Sequence, residues 1–275
     1  MSATSEKVVA TAESPGQLEI MIFLLLACRP PEAPVTFEEM MVYGFVHFDD
    51  EDPEALVSLS EVIVPWVDAN FESLSEGYEI AAMTSEDLEE SGVGSATNNE
   101  ILGVAVGVDY TAGSITRFSE AMTWDAQEEV FSHFVEFERE VLEGADCFSP
   151  TDCARFTADD SLHAEIALGI EYWSDYEISL RWLDVPGQGT VLLHQLNGPN
   201  PTDFSVNFIS VYQQYGFSFV YNNDDGQARR VQALWADGDL PSTEGGYLSL
   251  GITTMKTANG DINTWMLGED TEPAP

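Results

Sequence analysis

The spacing of apolar residues divides the chain into a mixed first half and a β-rich second half. Residues 35–50 carry apolar side chains at both odd and even positions, which predicts a buried central strand. The sequence Asp-Pro-Glu at 52–54 is typical of a helix start, and Pro65 is expected to kink or end the helix that follows. A short acidic helix is predicted over residues 84–90.

Residues 101–111 predict a strand with two unlike faces. Valines and a leucine fill one face, whereas Gly103 and Gly107 leave the other face nearly bare. A bare strand face lets a helix or a ligand approach the backbone closely, and packing against a helix is the commoner cause. Ser114 is placed to cap a further helix. Residues 133–142 fit both helical and strand periodicity, and we predict a helix there.

From residue 161 onward the pattern indicates an antiparallel meander. Apolar residues alternate with polar ones over several short runs, which predicts about five or six strands. We expect a tight turn at residues 174–175 and a hairpin at Asp225-Gly226. Residues 247–267 predict an amphipathic terminal helix that breaks at Asn259-Gly260.

These elements predict an α+β fold in which a curved antiparallel sheet packs with helices that include a C-terminal helix. Their order resembles the helix-grip fold of START and polyketide-cyclase-like proteins, where a curved sheet wraps a C-terminal helix around an apolar cavity. The resemblance lies in element order alone. It implies that the chain binds a lipid or another apolar small molecule in a cavity between sheet and helix.

A second resemblance lies near the N-terminus. Leu25-Leu26-Ala27-Cys28 follows an apolar run and resembles the lipobox of bacterial lipoproteins, where the leader is cut before a cysteine that then carries a lipid. The leader departs from that family because it holds three glutamates against a single lysine and its apolar run is short. The competing interpretation is an N-terminal strand that holds a cysteine.

The lipobox resemblance and the predicted elements together imply a domain organisation, and the lipobox also implies a location. Residues 1–27 would be a leader, residues 28–36 a lipid anchor and proline-rich tether, residues 37–268 a single α+β domain, and residues 269–275 a disordered tail. Attachment to the membrane would run through the lipid on Cys28. The protein would then lie in the cell envelope, in the periplasm or on the outer surface, and we expect it to be a monomer.

Cysteine usage agrees with an exported protein. Lipidation of Cys28 leaves Cys147 and Cys153 as an even pair, separated by a short stretch that contains a proline. Such a pair suits a disulfide in an oxidising compartment, and the alternative is two unrelated free thiols.

The charge balance excludes some partners. The chain has 49 acidic residues against 9 basic ones, so binding to nucleic acid phosphates is not expected. Such an excess of carboxylates indicates either halophilic adaptation or recruitment of calcium or a basic partner. We favour halophilic adaptation, because the acidic residues are spread over the whole chain and lack the spacing of an EF-hand.

No catalytic, metal or cofactor motif is present in the sequence. The four histidines are isolated from one another, and there is no HExxH, GxSxG or P-loop sequence. We therefore assign no cofactor and do not expect an enzyme, although this absence does not decide the matter. A non-enzymatic binder of an apolar molecule is favoured over a lipoprotein that serves only as a structural or partner-binding module.

Three arginines are candidate ligand contacts because cations are so scarce in this chain. Arg181, Arg229 and Arg230 lie on predicted strands. Strand alternation places Arg229 on the same face as Val231, and Arg230 on the same face as Leu234. One of the three arginines would lie inside and fix an acidic head group of a ligand. The alternative for each is an ion pair with one of the many carboxylates.

Overall fold

The computed structural model describes residues 32–93, 101–111, 113–166, 169–239 and 246–268. Cys28, the leader and the predicted tail over residues 269–275 lie outside the described residues. The elements, in chain order, are α1 (Phe37–Val46), α2 (Glu54–Glu76), β1 (Tyr78–Met83), α3 (Ser85–Ser91), β2 (Ile101–Asp109), α4 (Ile115–Thr123), α5 (Gln127–Val130), β3 (Phe134–Glu143), β4 (Arg155–Ile166), β5 (Ile170–Val185), β6 (Gly189–Gly198), β7 (Asp203–Phe204), β8 (Ser210–Asn222), β9 (Ala228–Asp239) and α6 (Gly246–Leu267).

One curved antiparallel sheet carries the fold. Its strand order is β1-β2-β9-β8-β6-β5-β4-β3, and the short β7 pairs with β5. Helices α1 and α2 contact one face, whereas α6 contacts β2 and the helix α4 on the other. The predicted α+β class, with its antiparallel sheet and C-terminal helix, is confirmed. No helix among the described residues is long and apolar enough to cross a membrane.

Strand alternation gives the sheet a separate core on each face. In β8, Tyr215, Phe217 and Phe219 pack with α1 and α2 in the larger core. Val220 points the other way and packs with residues of α4 and α6. Because successive side chains of a strand point to opposite faces, a strand covered on both faces is apolar at nearly every position.

The predicted strand over residues 35–50 is wrong, since this segment forms helix α1. Thr36 Oγ1 donates to Glu39 Oε2 at 2.7 Å beside the first turn. Most of the helix is buried, including Phe37, Met41 and Phe45. A helix covered on most of its sides shows no apolar stripe, so its sequence cannot be told from a buried strand by periodicity.

The predicted helix over residues 133–142 is also wrong, because this segment forms strand β3. It pairs antiparallel with β4 at the edge of the sheet. The hydrogen bonds come from a partner strand that lies later in the chain, and local periodicity does not contain that information. The predicted turn at residues 174–175 is wrong for a related reason: β5 runs through it unbroken, and the chain reverses just before Ile170, where Gly169 has a φ of 71°.

Two predicted interruptions do not end their helices. α2 continues past Pro65 to Glu76, with Ile63 and Val67 fully buried on either side of the proline. α6 continues through Asn259-Gly260 to Leu267. In both helices tertiary packing outweighs an unfavourable local preference.

The predicted disulfide between Cys147 and Cys153 is confirmed. The two Cα atoms lie 5.3 Å apart, inside the range that a disulfide spans. The backbone N–H of Cys153 also donates to the carbonyl oxygen of Cys147 at 3.1 Å, which closes the loop after β3.

Candidate functional site

A cavity of about 280 Å³ lies between the sheet and α6. Its walls come mainly from β3, β4, β5 and β9 on the sheet side, with His194 and Leu196 of β6, and from α6 opposite them. Apolar side chains predominate, and they include Leu162, Ile178, Leu196, Leu234, Met255 and Ile262.

The strand register explains why an apolar floor forms here. Ile178, Leu196, Gly216, Leu234 and Val104 are direct neighbours across five strands, from β5 to β2. Directly paired residues in an antiparallel sheet share a face, so this row lies on the α6 side. Gly216, the central residue of this row, has no side chain, so the sheet surface is recessed between Leu196 and Leu234.

A buried arginine forms the polar part of the wall. Arg230 is 2% exposed and lines the cavity. Its Nε and Nη2 donate to Ser218 Oγ at 3.0 and 2.8 Å. Its Nη1 donates to Asn259 Oδ1 on α6 at 3.0 Å, and its Nη2 donates to His194 Nδ1 at 3.3 Å. The Tyr110 hydroxyl is also within hydrogen-bonding reach of Arg230, and all of these partners are uncharged groups.

His194 is a hydrogen-bond donor in this arrangement. Burial lowers the pKa of His194 well below its ordinary value, and the positive charges of Arg230 and Arg139 lower it further. The imidazole is therefore neutral at pH 7. Because a guanidinium can only donate, Nδ1 must accept and Nε2 must carry the proton. Nε2 is buried and has no hydrogen-bond partner in the described part of the chain, so the cavity wall holds a donor rather than a general base.

A second arginine in the wall has its charge balanced by a paired carboxylate. Arg139 on β3 donates through Nε and Nη2 to the two carboxylate oxygens of Asp160 on β4, both at 2.7 Å. Both side chains are almost completely buried. Burial raises the pKa of Asp160, and the charge-assisted pairing with Arg139 opposes that rise.

The phenols in the wall are un-ionised. Burial raises the pKa of Tyr172 to about 12, and burial raises the pKa of Tyr176 well above its ordinary value. Within the described ranges there is also no group of three residues that could hold a metal ion. The site is therefore suited to binding an apolar molecule with one polar end.

The three arginines singled out from the sequence lie in different places. Arg230 lines the cavity. Arg229 faces the other side of the sheet, where it pairs with Asp109 at 2.6 Å and Asp68 at 2.8 Å. Arg181 donates to the backbone carbonyl oxygens of Phe48 and Asp50 at 2.6 and 2.9 Å. Their role as ligand contacts stays a prediction, and only for Arg230 does the position suit it.

The bare face of β2 lies away from the cavity. A Cβ atom at Gly107 would lie 3.0 Å from Leu74 Cβ and 3.1 Å from the Phe71 ring, both on α2. A Cβ atom at Gly103 would collide with the Trp235 indole. The small residues of β2 therefore admit a helix and a neighbouring aromatic ring, and the opposite, valine-rich face is the one that points toward α6.

Sequence reasoning missed most of the polar wall. The paired Arg139 and Asp160, the hydroxyl of Ser218 and the amide of Asn259 were not recognised as parts of one site. Ser218 pairs directly with His194 on one side and Gln232 on the other. Polar residues at paired positions of three neighbouring strands could have indicated this site. The sequence does not show that they are paired until the register of the strands is known.

Comparison with known proteins finds similarity at the level of solved structures. Neither a protein-family model nor a curated protein sequence matches the chain. A START superfamily protein from Mycobacterium smegmatis matches at 11% identity over 60% of this chain and 96% of that chain, with a TM-score of 0.37. The human StarD13 lipid transfer and protein localization domain matches at 11% identity over 74% and 95%, with a TM-score of 0.37.

The Zhui aromatase/cyclase from Streptomyces sp. R1128 matches at 12% identity over 61% of this chain and 92% of that chain, also with a TM-score of 0.37. The matches thus include a START protein, one of the groups that the element order resembles. At this degree of likeness, what the chain binds has to be argued from its own cavity.

Proposed function

We propose that this protein is a cell-envelope lipoprotein that binds one small, mainly apolar molecule or lipid between its sheet and α6. The cavity itself carries the binding part of this proposal. Ligand sites in proteins are typically concave and mostly apolar, with a few fixed polar groups that orient the ligand. This cavity has that composition, and its volume of about 280 Å³ lies just below the lower end of their size range, so it suits a small ligand.

The apolar wall sets how affinity should depend on ligand size. Each methylene transferred from water to an apolar wall contributes about 0.8 kcal/mol, or roughly a fourfold change in Kd. Among primary alcohols from hexanol to dodecanol, we expect Kd to fall about fourfold per methylene until the cavity is full, and then to level off. Isothermal titration calorimetry of the purified protein measures this series.

Filling the cavity should abolish the binding of these alcohols. Ala258 on α6 lines the cavity, whereas the adjacent Thr257 is exposed and does not. We expect Ala258→Phe to weaken decanol binding at least tenfold and Thr257→Phe to leave it unchanged. Leu234→Trp fills the same space from β9 and should act like Ala258→Phe.

The outcomes separate the two functions under consideration. Equal binding by Ala258→Phe, Leu234→Trp and the unmodified protein would place any alcohol outside the cavity and overturn the proposal. A protein that binds none of the alcohols, and that releases no apolar molecule on extraction from its own host, would leave the partner-binding lipoprotein as the remaining function.

The envelope location rests on the sequence around Cys28. We expect mass spectrometry of the protein from its native membranes to show a mature N-terminus at Cys28 with a covalent lipid. Cys28→Ser should release the protein from the membrane fraction, whereas Cys147→Ser should not. An intact Met1, or an unmodified Cys28 in native material, would contradict the assignment.

A further inference from the structure

The buried guanidinium of Arg230 lacks a counter-charge in a protein that has carboxylates in excess. The chain has 49 acidic residues against 9 basic ones. Among the described arginines, four have a carboxylate oxygen within 3 Å, namely Arg117, Arg139, Arg155 and Arg229. Arg230 is more deeply buried than most of these, yet its partners are a serine, an asparagine, a neutral histidine and the Tyr110 hydroxyl, none of which carries a negative charge.

One donor of this cluster has no acceptor. The guanidinium of Arg230 makes four hydrogen bonds to Ser218, Asn259 and His194, and the Tyr110 hydroxyl is also within hydrogen-bonding reach of it. His194 Nε2, in contrast, is a buried donor without a partner among the described residues. A buried charge and a buried donor both cost free energy unless an acceptor offsets them.

The carboxylate in the described cavity wall, that of Asp160, is already paired with another arginine. Both oxygens of Asp160 accept from Arg139, so that pair contributes no net charge. The formally charged residues lining the cavity are Arg139, Asp160 and Arg230, and with neutral histidines they sum to +1. The cavity is therefore cationic inside a protein whose formal net charge is −40.

The cluster also has a direction along the sheet. Directly paired residues form rows across the strands of this face. Arg230 lies in one row, His194 lies in the adjacent row, and Leu196 and Leu234 lie in the row after that. Strands β6 and β9 run the same way, because each is antiparallel to β8. The wall thus changes from cationic to apolar over the four residues from Arg230 to Leu234, a length of about 13 Å.

We infer that the ligand is an amphipathic monoanion, whose carboxylate accepts hydrogen bonds from Arg230 and His194 while its apolar chain lies along Leu196 and Leu234. This inference rests on the proposed binding function and specifies its ligand class. A carboxylate matches a planar guanidinium and supplies the missing negative charge, which an alcohol or an ester does not.

The test compares decanoate with 1-decanol at pH 7 by isothermal titration calorimetry. The two probes share a chain and differ in their head group. We expect decanoate to bind about 10- to 100-fold more tightly, the range of a charge-assisted hydrogen bond. Titrations at 0.15 M and 1 M NaCl control for repulsion of the anion by the acidic surface, which salt screens.

Two neighbouring arginines provide a matched pair of variants. In Arg230→Met the preference for decanoate should be lost, so that decanoate and decanol bind within about threefold of each other. Arg229→Met alters the preceding residue of the same strand, whose side chain lies on the opposite face of the sheet, and should leave the preference unchanged. Should Arg230→Met fail to fold, His194→Phe removes the second donor and should reduce the preference several-fold.

The results distinguish this inference from the proposed function. If decanol and decanoate bind equally well in the cavity, the binding function stands and the carboxylate inference is overturned. An equal loss of preference in Arg229→Met would also overturn it, since general charge would then be the cause. If neither probe binds, both the proposed function and the inference fail.

Discussion

Replacing Asp160 with alanine is expected to lower the free energy of unfolding by about 3–5 kcal/mol, because the change leaves Arg139 buried without its carboxylate. Both side chains of this pair are almost completely buried, and Asp160 accepts two hydrogen bonds of 2.7 Å from the arginine. Urea denaturation followed by tryptophan fluorescence measures the change.

A double variant separates the cost of an unpaired charge from the worth of the pair. Arg139→Met combined with Asp160→Leu removes both charges and keeps the volume apolar, so we expect its stability to lie within about 1–2 kcal/mol of the unmodified protein. Arg139 also donates to the carbonyl oxygens of Met122 and Trp124, and losing these bonds sets the small remaining cost. If Asp160→Ala were as stable as the double variant, the buried pair would have no structural role.

Local patterns predicted much of this fold, but they did not show which face of the sheet lines the cavity. Alternation placed Arg230 with Leu234 and Arg229 with Val231, and the structure has the same two sets on opposite faces of β9. The sequence of a strand does not say which of its faces meets the cavity. That depends on where α6 and α2 pack: α6 follows β9 closely in the chain, whereas α2 lies far before it.

The errors in secondary structure share one physical cause. Helix α1 and strand β3 were assigned the wrong type because burial or edge pairing, rather than local periodicity, decides their conformation. β5 passes straight through Ser174 because β4 pairs with it along its first twelve residues. In each segment the deciding contacts come from residues that lie outside the local window.

The glycines of β2 serve the commoner of the two uses expected from the sequence, close packing and not contact with a ligand. Gly103 and Gly107 do permit close approach, but α2 and Trp235 occupy that space. Enlarging either glycine would therefore disturb the core on the α1 and α2 side without reaching the cavity. Halophilic adaptation, by contrast, stays a prediction, since it concerns how stability depends on salt.

The Asn259-Gly260 pair, which suggested a break in α6, is expected to be one of the strongest attachments of this helix to the sheet. Asn259 is 1% exposed. Its Oδ1 accepts hydrogen bonds from Arg230 Nη1 and from the Tyr110 hydroxyl, and its Nδ2 donates to Gln232 Oε1 at 2.9 Å. A single side chain thus satisfies a donor from β9 and the Tyr110 hydroxyl just after β2, and it also holds the cationic end of the cavity in place.

Asn259→Leu should therefore lower the free energy of unfolding by about 3–5 kcal/mol, since two buried donors and one acceptor lose their partner together. Asn263→Leu is the matched control, one turn later on α6. Its Oδ1 accepts from the backbone N–H of Thr111 at 3.0 Å at an exposed position, so its loss should cost about 1 kcal/mol or less. Equal denaturation midpoints for the two variants would contradict the attachment. A large loss in Asn259→Leu alone would show that burial of the cluster, rather than helix propensity, holds α6 over the cavity.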